Sequence, residues 1–383
     1  MKLRFLKYFV IFVLALLLVG CWDYREIEFL DFVFGFGVDQ VDPDFVLITE
    51  MIMSTGGGQE PESQPVVLST KGRSFSSAVR TLTNPAGLEI FYPHAQVFLV
   101  SEEVARNGLL PAVEYLVRAR DMRTTTPFFV TKDCTVEEVF NSKPLFAKSV
   151  SEHLASTARL QSSLSTFLPQ QVWEFVKDML ATGVCGALPT VQLVQEGTDK
   201  VPIIKGTAVF KLDRMVGWLN GEESQVFCLL QGMEQSGRFV METKIRGETY
   251  PITYEFVNNT AELSPQTEGG DLSMKIGVEL EFDVTELGTA NFSFHDSSIV
   301  ASMEEQLAHY FNRRIREFVE KTQKEFGSDI LGFGQMVRRQ EPEIWRRYSQ
   351  DWDAHLQELA IDVEVKCRIV LTGVRAYPIT PRR

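Results

Sequence analysis

The sequence predicts a mixed α+β fold, with sheets packed against helices, and three observations predict it. Two apolar runs around a turn cluster mark a hairpin at 32–53. Between residues 65 and 140, strand-like runs alternate with capped helical segments, an order that lays helices on a sheet. Beyond residue 237, consecutive strands are followed by one long amphipathic helix, as in a second α+β unit.

Each element follows from its residues. Phe32–Val38 and Phe45–Met53 read as strands on either side of the turn cluster Asp39–Asp44. Residues 55–64, rich in Gly, Pro, Glu and Ser, read as a loop. Pro65–Ser69 is a strand, and Ser74 caps a helix to about Leu82. Ala95–Val100 is a strand. Ser101 then caps a helix that breaks at Gly108–Pro111 and resumes to Arg118. Pro127–Thr131 is a strand and Thr135–Phe140 a short helix. Residues 145–181 read as helical with a break near Pro169, and Leu188–Val194 as a strand. The polar stretch Gln195–Lys200 is the expected boundary between an N-terminal region, 21–198, and a C-terminal α+β domain, 199–375.

Past that boundary, Ile203–Leu212 and Met215–Leu219 form a hairpin, and a helix covers about Glu222–Leu230. Alternating strands fill roughly 237–295. In the helix Ser298–Phe326, Met303, Leu307, Phe311, Ile315, Phe318 and Thr322 keep near-helical spacing. Two helices flank Pro342, and Ile361–Leu371 is a closing strand.

The N-terminus carries the sharpest chemical signal. Lys2, Arg4 and Lys7 precede the uncharged run Phe9–Leu18, which is too short to span a hydrocarbon core of about 30 Å at about 1.5 Å per residue. Leu18-Val19-Gly20-Cys21 follows, with a small residue before the cysteine and Leu three residues before it. That is the lipobox pattern of bacterial lipoproteins. Residues 1–20 would be a signal peptide, and the Cys21 thiol would take a diacylglyceryl group. The alternative is an ordinary signal peptide, or a short anchor helix with an incidental cysteine.

The formal net charge is −13, and losing the three leader cations leaves −16. With no basic stripe, nucleic-acid binding is excluded as a function class. Roughly 360 residues suits two or three domains. Cys134, Cys185, Cys228 and Cys367 are widely spaced, without a C-x-x-C or a Cys/His cluster, so no metal site is expected. An exported chain permits disulfides between them. Their apolar neighbours fit buried free thiols as well.

Other chemical candidates are weak. Gly35 and Gly37 lie within a strand pattern and lack the downstream helix of a phosphate loop, so close backbone packing or a bulge is the better reading. His94 precedes a strand, where it either lines a cleft or serves structure. His153, His295, His309 and His355 show no metal-ligand spacing. Glu279, Glu281 and Asp283 alternate on one strand face, which suits a solvated face more than a glycosidase acid/base pair. Ser76 and Ser77 lack a nucleophile elbow. No catalytic residue, metal or cofactor is assigned.

Several blocks resemble a known family. Cys21-Trp22-Asp23-x-Arg25-Glu26-Ile27 and then Gly35-x-Gly37-Val38-Asp39 are similar to the start of the mature Ger(x)C lipoproteins, the C subunits of spore germinant receptors. Gly206-Thr-Ala-Val-Phe-Lys211, Val216-Gly217-Trp218-Leu219 and Glu222-Glu223 resemble the opening of that family's C-terminal domain. Asp329-Ile-x-Gly332-Phe-Gly334, Pro342-x-x-Trp345 and Trp352 are a third block.

The resemblance implies a non-enzymatic lipoprotein on the outer face of the inner membrane of dormant spores. It implies about three small mixed α/β domains, and action with two integral-membrane subunits, A and B, in nutrient sensing. Cys21 is the chemically defined position that carries over. Trp22, Arg25 and Glu26 either meet headgroups or a partner, or begin the domain core. Phe333, between two helices, either anchors a partner or caps the core. A solute-binding lipoprotein of a transporter is the alternative function. It is disfavoured because two similar lobes are not evident. A lipid-anchored hydrolase would need a convergent constellation that is not found.

Overall fold

The computed structural model describes residues 4–5, 7–9, 30–41, 44–55, 62–87, 89–233, 235–287, 294 and 296–371. The lipobox and the segment to residue 29 lie outside them.

The expected hairpin forms from β1 (Leu30–Val41) and β2 (Asp44–Thr55), with Val41 opposite Asp44. β3 (Glu62–Gly72) pairs antiparallel with β2 and starts within the stretch read as a loop. Thr55 lies opposite Glu62, so the pairing reaches into that stretch. In α1 (Phe75–Ala86) the Ser77 amide donates to Ser74 Oγ at 3.2 Å, the expected cap. Short β4 (Glu89–Phe91) and β5 (Val97–Val100) follow. α2 (Glu102–Asn107) is capped by Ser101, and α3 (Leu110–Arg118) resumes after Gly108. β6 (Phe128–Thr131) leads to α4 (Val136–Phe140), held by a reciprocal capping box between Thr135 and Glu138. The helical stretch then breaks twice, giving α5 (Val150–Arg159), α6 (Gln161–Leu164) and α7 (Val172–Leu180).

β7 (Ala187–Glu196), β8 (Asp199–Lys211) and β9 (Arg214–Leu219) complete a nine-stranded sheet. Its order is β3-β2-β1-β5-β6-β7-β8-β9, with β4 beside β1. The central strands β1, β5, β6 and β7 run parallel, and the outer ones are antiparallel. All residues of β5 and β6 are buried, as parallel strands covered on both faces require. Phe98 and Val100 join one apolar cluster, and Val97 and Leu99 the other, on the opposite face.

The stretch 195–200 is the turn of the β7–β8 hairpin, with Glu196 opposite Asp199 and Gly197 at φ +61°. The first sheet therefore runs through the expected boundary.

α8 (Gly221–Leu230) follows, capped by Asn220. β10 (Arg238–Ile245), β11 (Glu248–Glu268), β12 (Asp271–Glu286) and β13 (Ala360–Leu371) form a second sheet in that order, the last pair parallel. α9 (Ser297–Glu320) carries Met303, Leu307, Phe311, Ile315 and Phe318, all buried in the core it shares with this sheet, and ends in a π-helical turn at 321–326. α10 (Phe333–Gln340), α11 (Pro342–Tyr348) and α12 (Trp352–Glu358) lie between α9 and β13 in sequence. The third apolar cluster gathers Phe256, Phe282 and Phe311 but also Ala187, Val209 and Leu219 of the first sheet, so the two sheets share a core. The α+β class and the sheets packed with helices are as the sequence predicts.

Candidate functional site

Cys21, Trp22, Arg25 and Glu26 lie outside the described residues, which resume at Leu30, the first residue of β1. The structure brings the remaining motif residues together at two places, each built on a buried carboxylate.

The first lies on β1. Period two puts Gly35, Gly37 and Asp39 on one strand face, and Glu50 of β2 is the register partner of Gly35. Asp39 accepts the Val136 amide at 2.9 Å and the Glu137 amide at 3.2 Å, at the start of α4. Glu50 accepts the Val150 and Ser151 amides at 2.9 and 2.8 Å, and the Ser151 hydroxyl, at the start of α5. The unpaired first-turn N–H groups of both helices are thus satisfied by anions from the sheet. The glycines make the approach possible. A Cβ on Gly37 would stand 2.6 Å from Val136 Cγ1 and 2.7 Å from the Leu99 carbonyl oxygen. A Cβ on Gly35 would overlap Ser151 Oγ and come within 3.0 Å of the Phe140 ring. Burial pushes both carboxyl pKa values up, and the amide hydrogen bonds pull them back. The glycine motif is a close-packing device, as the strand context predicts.

The second place is the segment 329–334. Asp329 is buried and accepts the Phe333 amide at 2.8 Å, the Gly334 amide at 2.8 Å and the Trp352 indole N–H at 2.9 Å. Burial raises its pKa to about 6 against these donors. Its own backbone carbonyl accepts the Cys185 amide at 2.9 Å, and Gly183 accepts the Gln335 amide at 2.9 Å. Gly183 sits at φ +79°, and a Cβ on Gly334 would lie 2.6 Å from Gly183 Cα. Backbone meets backbone here, fastening the 183–185 strap between α7 and β7 to the start of α10.

Phe333, the candidate partner anchor, is 2% exposed and belongs to the third apolar cluster. This corrects its reading as a contact residue. The amides of Phe333 and Gly334 are spent on Asp329, and the ring is spent on the core.

Cavities flank this joint. One of about 580 Å³ lies between α7 and α10 and includes Glu174, Lys177, Cys185, Gln335 and Arg339 in its lining. Another of about 570 Å³ is bounded by Leu180, Leu212, Trp352 and Asp353.

The other candidates resolve into structural roles. His94 is exposed, its ring edge-to-face with Phe32 and Phe34 at 5.8 and 5.5 Å. On the outer face of the second sheet, Glu279 and Glu281 lie opposite Lys366 and Arg368, a charged cross-strand arrangement. Cys134, Cys185, Cys228 and Cys367 are free thiols, and burial pushes Cys228 and Cys367 up to about 12. Among the described residues, no group of three or more His, Cys, Asp or Glu is placed to hold a metal.

Sequence reading missed Glu50, which no motif marks. Its signal is a charged residue inside the apolar run 45–53.

Comparison with known proteins covers both halves of the chain. Residues 23–193 match the family described as spore germination protein N-terminal domain, and 205–373 match spore germination B3/GerAC like, C-terminal. Spore germination protein KC of Bacillus subtilis (strain 168) is 24% identical over 393 residues, covering 95% of each chain. Spore germination protein B3 of the same organism is 22% identical over 377 residues, covering 96% of this chain and 98% of that one. Spore germination protein A3 is 25% identical over 361 residues, covering 92% and 93%. The crystal structure of the GerBC protein shares the fold, with a TM-score of 0.55 at 18% identity, over 91% of this chain and all of that one.

Proposed function

The chain belongs to the Ger(x)C family of spore germination proteins, and on that premise we propose that it is the lipid-anchored, non-enzymatic C subunit of a nutrient-germinant receptor. In this reading Cys21 bears the lipid and holds the chain on the outer face of the inner membrane of the dormant spore. Trp22, Arg25 and Glu26 meet headgroups or the integral-membrane A and B subunits. One observation carries the reading: the family-matched region begins at residue 23, two residues behind the lipobox cysteine. Leader, lipid site and family-matched region are consecutive in the sequence. No helix among the described residues is long and apolar enough to cross a membrane. The buried carboxylates fit a scaffold role, because Asp39, Glu50 and Asp329 all hold helix starts.

The test is Cys21→Ala in sporulating cells fed labelled palmitate. The wild-type chain is expected to take up label, to fractionate with the spore inner membrane and to co-purify with the two membrane subunits. The variant is expected to lose label and germinant response together. Full acylation or an unchanged germination response in Cys21→Ala would overturn the proposal.

A further inference from the structure

Residues 141–149 join α4 to α5 and carry one ring that the fold leaves bare. Phe146 is 98% exposed and Leu145 beside it 60%. We propose that this loop is a second membrane contact, seating Phe146 where headgroups meet acyl chains in the bilayer that holds Cys21. The inference rests on the lipid-anchor reading and adds a contact to it.

Three observations support a bilayer as the occupant. The first is where the loop is rooted. Phe140, just before it, and Ser151, just after it, both pack against Gly35 of β1. β1 is the strand that the anchor segment feeds. Gly35 is five residues into the chain from Leu30, roughly 17 Å at about 3.3 Å per strand residue. Cys21 is nine residues before Leu30, a reach of at most roughly 30 Å. The lipid and the loop can therefore meet one surface.

The second observation is charge. The loop holds Lys143 and Lys148 and no acidic residue, in a chain whose net charge is −13. Lys143 makes an exposed pair with Asp199 at 3.3 Å, and the Lys148 side chain makes no ion pair among the described residues. Lysines flanking an apolar tip lay their stems along it and their ammonium groups among anionic headgroups.

The third is size. A two-residue tip is far short of the roughly 800 Å² per partner that a stable protein interface buries. A bilayer boundary needs no complementary pocket and takes single aromatic rings.

The experiment uses the full lipidated chain reconstituted into vesicles of phosphatidylglycerol and phosphatidylethanolamine. Phe146→Trp adds one indole to the five native ones, and its emission is taken as the difference from wild type. Lipids brominated at shallow acyl positions are expected to quench most of the added emission, and aqueous acrylamide to quench little of it. Added emission untouched by brominated lipid, on vesicles that still carry the protein, would overturn the loop contact and leave the anchor reading intact. Shielding that appears only when the membrane subunits are present, without lipid quenching, would overturn it in favour of a protein partner. Cys21→Ala reports on the anchor separately, since its loss of vesicle binding is expected whichever way Phe146 behaves. A Phe146→Ala chain that melts like wild type shows that the ring serves no packing role.

Discussion

The nine-stranded sheet is covered on both faces and the four-stranded sheet is charged and open on one. Along β5 and β6 every residue is buried, whereas β12 alternates buried and open residues through most of its length. Their buried anions differ in the same way. Asp39 and Glu50 rise from the first sheet itself and hold helices that lie on it. Asp329 sits off the second sheet and holds a helix start, an indole from α12 and the strap at 183–185. A sheet buried on both faces must receive helix ends directly over its strands, and those ends bring unpaired N–H groups into the interior. A carboxylate on the strand answers them, and glycine clears the space. Where helices cover one face only, the same device moves to the seam between units.

The largest expected effect is at that seam. Phe333→Ala should destabilise by about 3–5 kcal/mol in denaturant titrations, the cost of emptying a buried aromatic site. A normal midpoint with lost germination would return Phe333 to the contact reading. Next come the two glycine sites. Gly37→Ala and Gly334→Ala should each cost about 1–3 kcal/mol or more by overpacking, because each added methyl would meet backbone atoms. If only Gly37→Ala were destabilising, the seam would be a loose contact rather than the counterpart of the first site.

Asp329→Asn should cost about 1–3 kcal/mol at neutral pH, since an amide N–H₂ would be turned toward a backbone or indole donor. It should also change the pH profile. The Asp329 pKa is raised from 3.8 to about 6, so the folded chain holds this proton more tightly. Its contribution is complete below about pH 4 and is lost as pH rises through about 6. Melting temperatures of wild type minus Asp329→Asn should therefore fall between those values. A flat difference would mean that the hydrogen bonds to Asp329 offset its burial and leave its pKa unraised. The smallest effect belongs to Phe146→Ala, expected within about 0.5 kcal/mol of wild type, as for a side chain that packs on nothing.

Most elements were legible because their signals are local. Ser74, Ser101 and Thr135 announce helix starts, and the spacing of Met303 through Phe318 announces α9. What stayed hidden depends on partners distant in sequence. The hydrogen bonds of Asp39 reach residues 97 and 98 positions away, and those of Glu50 reach 100 and 101. Gly35 and Gly37 could be read as close-packed, but not against which helices. Phe333 offered two readings because Gly-Phe-Gly describes a permissive backbone equally well at a surface and at a crowded seam. Gln195–Lys200 was read as a domain boundary, and it forms the turn between β7 and β8. A polar, glycine-bearing turn looks the same between domains and between paired strands.

That turn has a consequence for inheritance. The two family-matched halves meet between residues 193 and 205, and β7 and β8 pair across that interval. Each half taken alone ends in an unfinished sheet edge, and Ala187 on one side packs in the same cluster as Val209 and Leu219 on the other. A crossover here between paralogous genes would have to deliver matching register, hairpin length and apolar contour at once. Recombination is thereby discouraged at the place where the sequence looks easiest to cut.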